Sequence, residues 1–414
     1  MDPNPSSLRI GVVDQTISGW VAAAVYSRMT LRSLEAACHV DGPELFYLST
    51  QVNIDAVSGS RTNPMPVAAT DYLPAERQFR TVLGLPEKSS ALRGEPRLRK
   101  LLRLTGKADV FGLAQKNKID VLLPLLDLPP WKVAPATIGW IPDFQHCYLP
   151  QFFTADDLEK RNSTMRRVAE RATLVMLSSN AARDDFATFS PAYAHKARVI
   201  SFPSLLAFEE LAKDPSDTRA KFNLPEKFAL VANQFWAHKN HALVVEALAD
   251  LRRNGIEVPV VMTGMPADHR DASNKNFSSL LQAIAAAGVH RQVFILGLVP
   301  YAELVNLMRT ATLIIQPSRF EGWSTIVQDA VALGRPFVCS NIPVHREQAS
   351  GALGFFGCDD AKTLAQLITS NWRDLKPGPD KESENRSLAA EHEFSLRHGR
   401  TLVQLCREAT ATRR

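Results

Sequence analysis

Glu321 and Asp329 stand eight residues apart in QPSRFEGWSTIVQDAVALGRPFVCSNIPVHRE, residues 316–347. Glu321 falls in a glycine-containing turn at the end of an apolar strand, and Asp329 lies two turns into the helix that follows. At about 100° per residue the two are not on one helix face, but Glu321 precedes the helix and escapes that angular rule. Carboxylates placed so can accept hydroxyl hydrogen bonds at two points along a ligand. Gly322, Trp323, Ser324 and Thr325 meanwhile offer backbone N–H groups at a helix start, where an anion is favoured. The helix dipole also favours an acid there, which is the ordinary explanation for Glu321. Asp329, among Ile326, Val327, Ala330 and Val331, has no such explanation.

A cation lies upstream. In NQFWAHKNH, residues 233–241, Lys239 sits near the start of the next helix, with Asn233, Gln234, His238 and Asn240 crowded around it. A lysine beside free helix N–H groups makes a point-charge site for phosphate; the bland alternative is a solvated lysine beside a cap. Asp143 and His146 follow the apolar run ATIGWI, 136–141. In an open α/β sheet, ligands bind beyond the carboxyl ends of strands, which makes both residues site candidates. Their bland readings are a turn cap and a satisfied loop histidine.

These residues need strands and helices to hold them. Apolar runs at 8–14, 44–48, 118–123, 136–141, 174–179 and 196–204 alternate with helical stretches, and the alternation restarts at 228–232, 258–264, 293–297 and 313–318. Repeated strand–helix alternation predicts parallel sheets. The polar, proline-interrupted segment 207–226 reads as the boundary between two domains, 1–206 and 207–383. Two doubly wound halves leave a cleft between them, where ligands bind. Residues 50–107 are the least readable. Within them LRGEPRLRKLLRLTGK, 92–107, has the pattern of a basic amphipathic helix, which fits either an anionic membrane surface or a solvated helix face.

The whole chain has 414 residues and a formal net charge of +5. That is compatible with an anionic substrate and short of the concentrated charge of a nucleic-acid binder. Five scattered cysteines, with no CxxC pair, predict a reducing compartment rather than a disulfide framework or a zinc site. The N-terminal residues lack a basic segment leading into an apolar one, and no apolar run reaches the ~18 residues of a spanning helix. The expectation is a cytoplasmic protein, in peripheral contact with the inner membrane face at most.

SRFEGWSTIVQDAVALGRP, with NQFWAHKNH upstream, resembles the Glu-x7-Glu signature and phosphate-binding lysine of the family-4 retaining glycosyltransferases. IPDFQHCYLPQFF, LGLVPYAELVNLMRTATLIIQPS and IPVHREQ are similar to further blocks of its bacterial polysaccharide-type members, also described as group 1 glycosyltransferases. The resemblance covers most of residues 8–370. It implies the GT-B fold: two Rossmann-like domains facing across a cleft, acceptor on the first, donor nucleotide on the second, and the C-terminal residues 384–414 packed back on the first.

By the same resemblance Glu321 faces the donor sugar, Lys239 the diphosphate and Asp329 the ribose. Gly322 to Thr325 offer amides to phosphate, and Asn233, Gln234 and Gly264 stand beside the donor. The segment around Ile295 and Leu296 lines the base. Asp143 and His146 act at the reacting centre, and Gly19, Trp20, Val21 and Ala22 form the loop between donor and acceptor. The implied reaction moves a hexose, with GDP-mannose the favoured donor type and a UDP-linked sugar the other, onto a glycan or lipid-linked acceptor. No cofactor is implied, and without an Asp-x-Asp motif no metal. The sequence departs from the family at Asp329 for Glu, Ala22–Ala23 for a glycine pair, Pro142 for His, and Asn233–Gln234 for Gly-Arg. These departures motivate the alternative of a degenerate relative that binds nucleotide or glycan without turnover.

Overall fold

The computed structural model describes residues 8–14, 21–38, 42–50, 81–85, 110–208, 211, 214–268 and 274–413. Gly19, Trp20 and the 92–107 segment lie outside them. Val21 and Ala22 open the helix Val21–Ala37.

The first sheet has seven parallel strands: β1 (Arg9–Val13), β2 (Glu44–Thr50), β3 (Thr81–Leu85), β4 (Val121–Leu125), β5 (Ala136–Trp140), β6 (Leu174–Leu177) and β7 (Ala197–Val199), in the order β3-β2-β1-β4-β5-β6-β7. The second has six: β8 (Ala229–Ala232), β9 (Val260–Thr263), β10 (Val293–Gly297), β11 (Leu313–Gln316), β12 (Phe337–Ser340) and β13 (Gly354–Phe356), in the order β10-β9-β8-β11-β12-β13. Runs such as VLLPL, LVML and VVMT are buried along their whole length, as strands covered by helices on both faces must be. The two doubly wound, Rossmann-like sheets are those expected. β3 lies in the stretch whose pattern was unreadable, and the strand expected at 118–123 runs Val121–Leu125.

Strand order reverses between β1 and β4 in the first sheet and between β8 and β11 in the second. Beyond the carboxyl ends of such a strand pair the two connections leave in opposite directions and open a crevice. In the second sheet that crevice is flanked by the segments after Ala232 and after Gln316, the stretches that carry Lys239 and Glu321.

One 33-residue helix, Lys381–Arg413, links the halves. At its start Glu384 forms a buried ion pair with Arg309 of the second domain. Farther along, Leu402, Leu405, Cys406 and Ala409 join the core of the first domain, and Glu408 pairs with Arg198. Gly399 packs against the helix Val21–Ala37. A Cβ there would overlap the Ser33 carbonyl oxygen and crowd the Ala37 methyl. Gly399→Val is therefore expected to destabilise the protein by about 2 kcal/mol or more, since overpacking against backbone outweighs the ~1 kcal/mol that removing a helical glycine returns. The urea-unfolding midpoint of the variant checks this. Among the described residues no helix is long and apolar enough to cross a membrane.

Candidate active site

Lys239 ends a single 3-10 turn, Ala237–Lys239, ahead of the helix His241–Arg253. Asn240 between them takes a left-handed conformation with φ of 58°, steadied by its amide donating to the carbonyls of Pro317 and Cys358. This bend brings the Lys239 ammonium to 2.6 Å from Glu321 Oε1, both side chains being largely buried. Gln316 Nε2 donates to the same oxygen at 3.0 Å. Glu321 Oε2 accepts no hydrogen bond among the described residues, which leaves one carboxylate oxygen for a ligand.

The turn after Glu321 is organised by Ser324, whose hydroxyl caps the helix Thr325–Ala332 by accepting from Val327 N–H. Of the four amides expected to serve an anion, that of Ser324 is donated to Gln348 Oε1. Those of Gly322 and Trp323 carry no hydrogen bond among the described residues. The Trp323 indole donates to the Phe202 carbonyl, so this side chain braces the second domain against the first. Asn233 donates to Gln316 Oε1 at 2.6 Å. Gln234 accepts from Met265 N–H and so braces the loop after β9. Gly264 in that loop has φ of 144°, and a Cβ would strike the Asn233 carbonyl, so only glycine fits. Ile295 and Leu296 are half-buried in β10, where the register with β9 shifts.

Across the cleft, Asp143 Oδ1 accepts from Gln145 N–H and lies 3.4 Å from Arg161. Its loop touches the Glu321 turn: a Cβ on Gly322 would overlap the Pro142 carbonyl oxygen and sit 3.1 Å from Asp143 Cβ. Beside this seam Tyr148 packs on Phe320 with ring centroids 5.3 Å apart, and Glu347 accepts from the N–H groups of Asn180 and Ala181. His146, expected to act beside Asp143, is instead buried between Phe153 and Phe189 with Nε2 against Asn162. Burial lowers its pKa and holds it neutral.

Asp329 has its partner in the first domain. Its Oδ1 accepts from Ser204 Oγ at 2.5 Å, at the point where the chain crosses between domains. Burial pushes its pKa up to about 7. Glu391 of the long helix meets the same place, accepting from Ser204 N–H and Gln328 Nε2, and burial raises its pKa to about 7 as well. An Asp side chain, one methylene shorter than Glu, keeps this carboxyl close to its own helix and within reach of Ser204. Gln316 and Gln348, which tie the site together, were not singled out from sequence. The available signal was a glutamine ending the buried strand LIIQ, at a position where apolar residues are the rule.

Residues 213–376 match the family model described as "Glycosyl transferases group 1". Alpha-D-kanosaminyltransferase of Streptomyces kanamyceticus is 21% identical over 180 residues, which span 43% of this chain and 45% of that enzyme, so the match covers less than half of either. Sucrose-phosphate synthase from Thermosynechococcus elongatus superposes with a TM-score of 0.67 at 16% identity, over 96% of this chain and 99% of its own. Anabaena HepE in complex with UDP and glucose superposes with a TM-score of 0.60 at 14% identity, over 97% and 98%. The chain has the GT-B fold, and its residues 213–376 match the group 1 glycosyltransferase model.

Proposed function

We propose that this chain transfers a hexose, with retention, from a nucleoside-diphosphate sugar to a glycan or lipid-linked acceptor, the donor held by residues 207–383 and the acceptor by 1–206 with 384–414. The observation that supports this most is the site at the β8/β11 crevice: a lysine locked to a carboxylate that keeps one oxygen open, beside the Gly322 and Trp323 N–H groups, which carry no hydrogen bond among the described residues. Lys239 and the N–H groups of Gly322 and Trp323 would neutralise charge on the departing diphosphate. Glu321 Oε2 would accept a hydroxyl of the sugar, and the Asp143 carboxylate would face the positive charge that develops on the ring. The bond from the anomeric carbon to phosphate breaks as the bond to the acceptor oxygen forms on the same face. The acceptor proton passes to the leaving phosphate oxygen, so no protein nucleophile is required.

The sequence resemblance favours GDP-mannose, and the complex of HepE with UDP-glucose favours that donor. Thermal unfolding with UDP, GDP, ADP and dTDP separates them: at a hundred times its Kd the bound nucleotide stabilises by about 2.7 kcal/mol, roughly 5–10 °C for a domain of this size. Nucleotide release from UDP-glucose and GDP-mannose then tests turnover. Stabilisation by a nucleotide with no product from any donor would leave the chain a binding module; no stabilisation by any of the four would end the proposal.

A further inference from the structure

We propose that Gln316 is a positioning residue that sets the orientation of Glu321 and joins the two segments of the site into one unit. The inference rests on the donor-site reading above. Gln316 is the last residue of β11, next to β8 in the sheet, and is 1% exposed. A buried primary amide is costly unless its donors and acceptor are matched. Here they all are. Oε1 accepts from Asn233 Nδ2 at 2.6 Å, on the segment that leads to Lys239. Nε2 lies 3.0 Å from Glu321 Oε1, 3.0 Å from Ser324 Oγ and 3.2 Å from Ser318 Oγ, all on the segment after β11.

The direction of these bonds matters. Glu321 Oε1 receives two donors, one charged and one neutral, from two different segments. A carboxylate held at one oxygen by two fixed donors cannot rotate, so Oε2 has a fixed direction into the crevice. Lys239 alone would not achieve this, because an ammonium on a flexible stem bonds equally well to either oxygen. Gln316 also bonds the cap hydroxyl of Ser324, and so fixes the start of the helix whose preceding Gly322 and Trp323 N–H groups carry no hydrogen bond among the described residues. One amide thereby aligns the sugar-facing and phosphate-facing halves of the site without touching substrate.

The test uses Gln316→Met, which keeps the length and removes both polar functions, and Gln316→Asn, which keeps the amide one methylene short. In the crystal structure of either variant, Glu321 is expected to turn so that Lys239 bonds both carboxylate oxygens; an unmoved Glu321 overturns the proposal. In steady-state kinetics with UDP-glucose or GDP-mannose, whichever the wild type turns over, kcat is expected to fall about 10- to 100-fold with KM changed less than about threefold. In a Glu321→Gln background the same substitution is expected to add little, because the residue it positions is already altered. A full, additive loss in that background would show a merely structural role. If no nucleotide stabilises the wild type, the donor-site reading fails, and the orientation of Glu321 in the variant structure still decides this proposal.

Discussion

Glu321→Ala and Lys239→Ala are each expected to slow sugar transfer by about 10²-fold or more. The two side chains form one device, with N···O of 2.6 Å and side-chain exposures of 15% for Lys239 and 11% for Glu321. In that partly dehydrated setting a charge aimed at the diphosphate acts with little water to screen it. Removing Lys239 takes away the cation and leaves Glu321 held by Gln316 alone. Removing Glu321 takes away the acceptor of the sugar hydroxyl and leaves the ammonium to swing. Because both losses break the same pair, the double variant is expected to be little worse than the poorer single one. Breaking a buried pair also lowers stability, so the rates are to be measured where each variant is shown folded by its unfolding curve. Near-wild-type rates in both single variants would sink the assignment of this crevice as the donor site.

The second large effect is on stability against pH. Asp329 and Glu391 meet at Ser204, and burial raises the pKa of each to about 7, with the Asp329 charge pushing Glu391 in the same direction. An unfolded chain titrates these groups near their ordinary values of about 4. Between about pH 4 and 7 the folded state therefore binds more protons than the unfolded one. Stability contributed by these groups is present at acid pH and declines as pH rises through that window. Each tenfold change in proton affinity is worth about 1.4 kcal/mol, so the loss is on the order of 4 kcal/mol for Asp329 alone. Asp329→Asn keeps the acceptor for Ser204 Oγ and removes the ionisation. It is expected to leave stability near pH 3, below both pKa values, close to wild type and raise it at pH 8, flattening the profile. Equal unfolding midpoints for variant and wild type at pH 8 would count against a raised pKa at Asp329.

The buried apolar strands and their alternation with helices were legible because burial on both faces of a parallel sheet leaves a run of apolar residues that needs no tertiary information. The same logic placed Lys239 and Glu321 beyond strand ends, and the structure sets them against each other. TVLGL gave no clear strand signal because it stands in a polar, proline-containing stretch.

What only tertiary structure decided is which partner each polar side chain takes. Spacing along the chain cannot say that His146 turns into the aromatic pocket of Phe153 and Phe189, or that Asp329 meets Ser204 across 125 positions. Nor could it show Gln316 collecting Asn233 from another strand's loop. Periodicity reports the side of an element on which a residue lies. The chemistry of a buried acid, amide or imidazole is set by the few atoms within about 3 Å of it, and here those atoms come from segments that only the packing of the two sheets and the long C-terminal helix brings together.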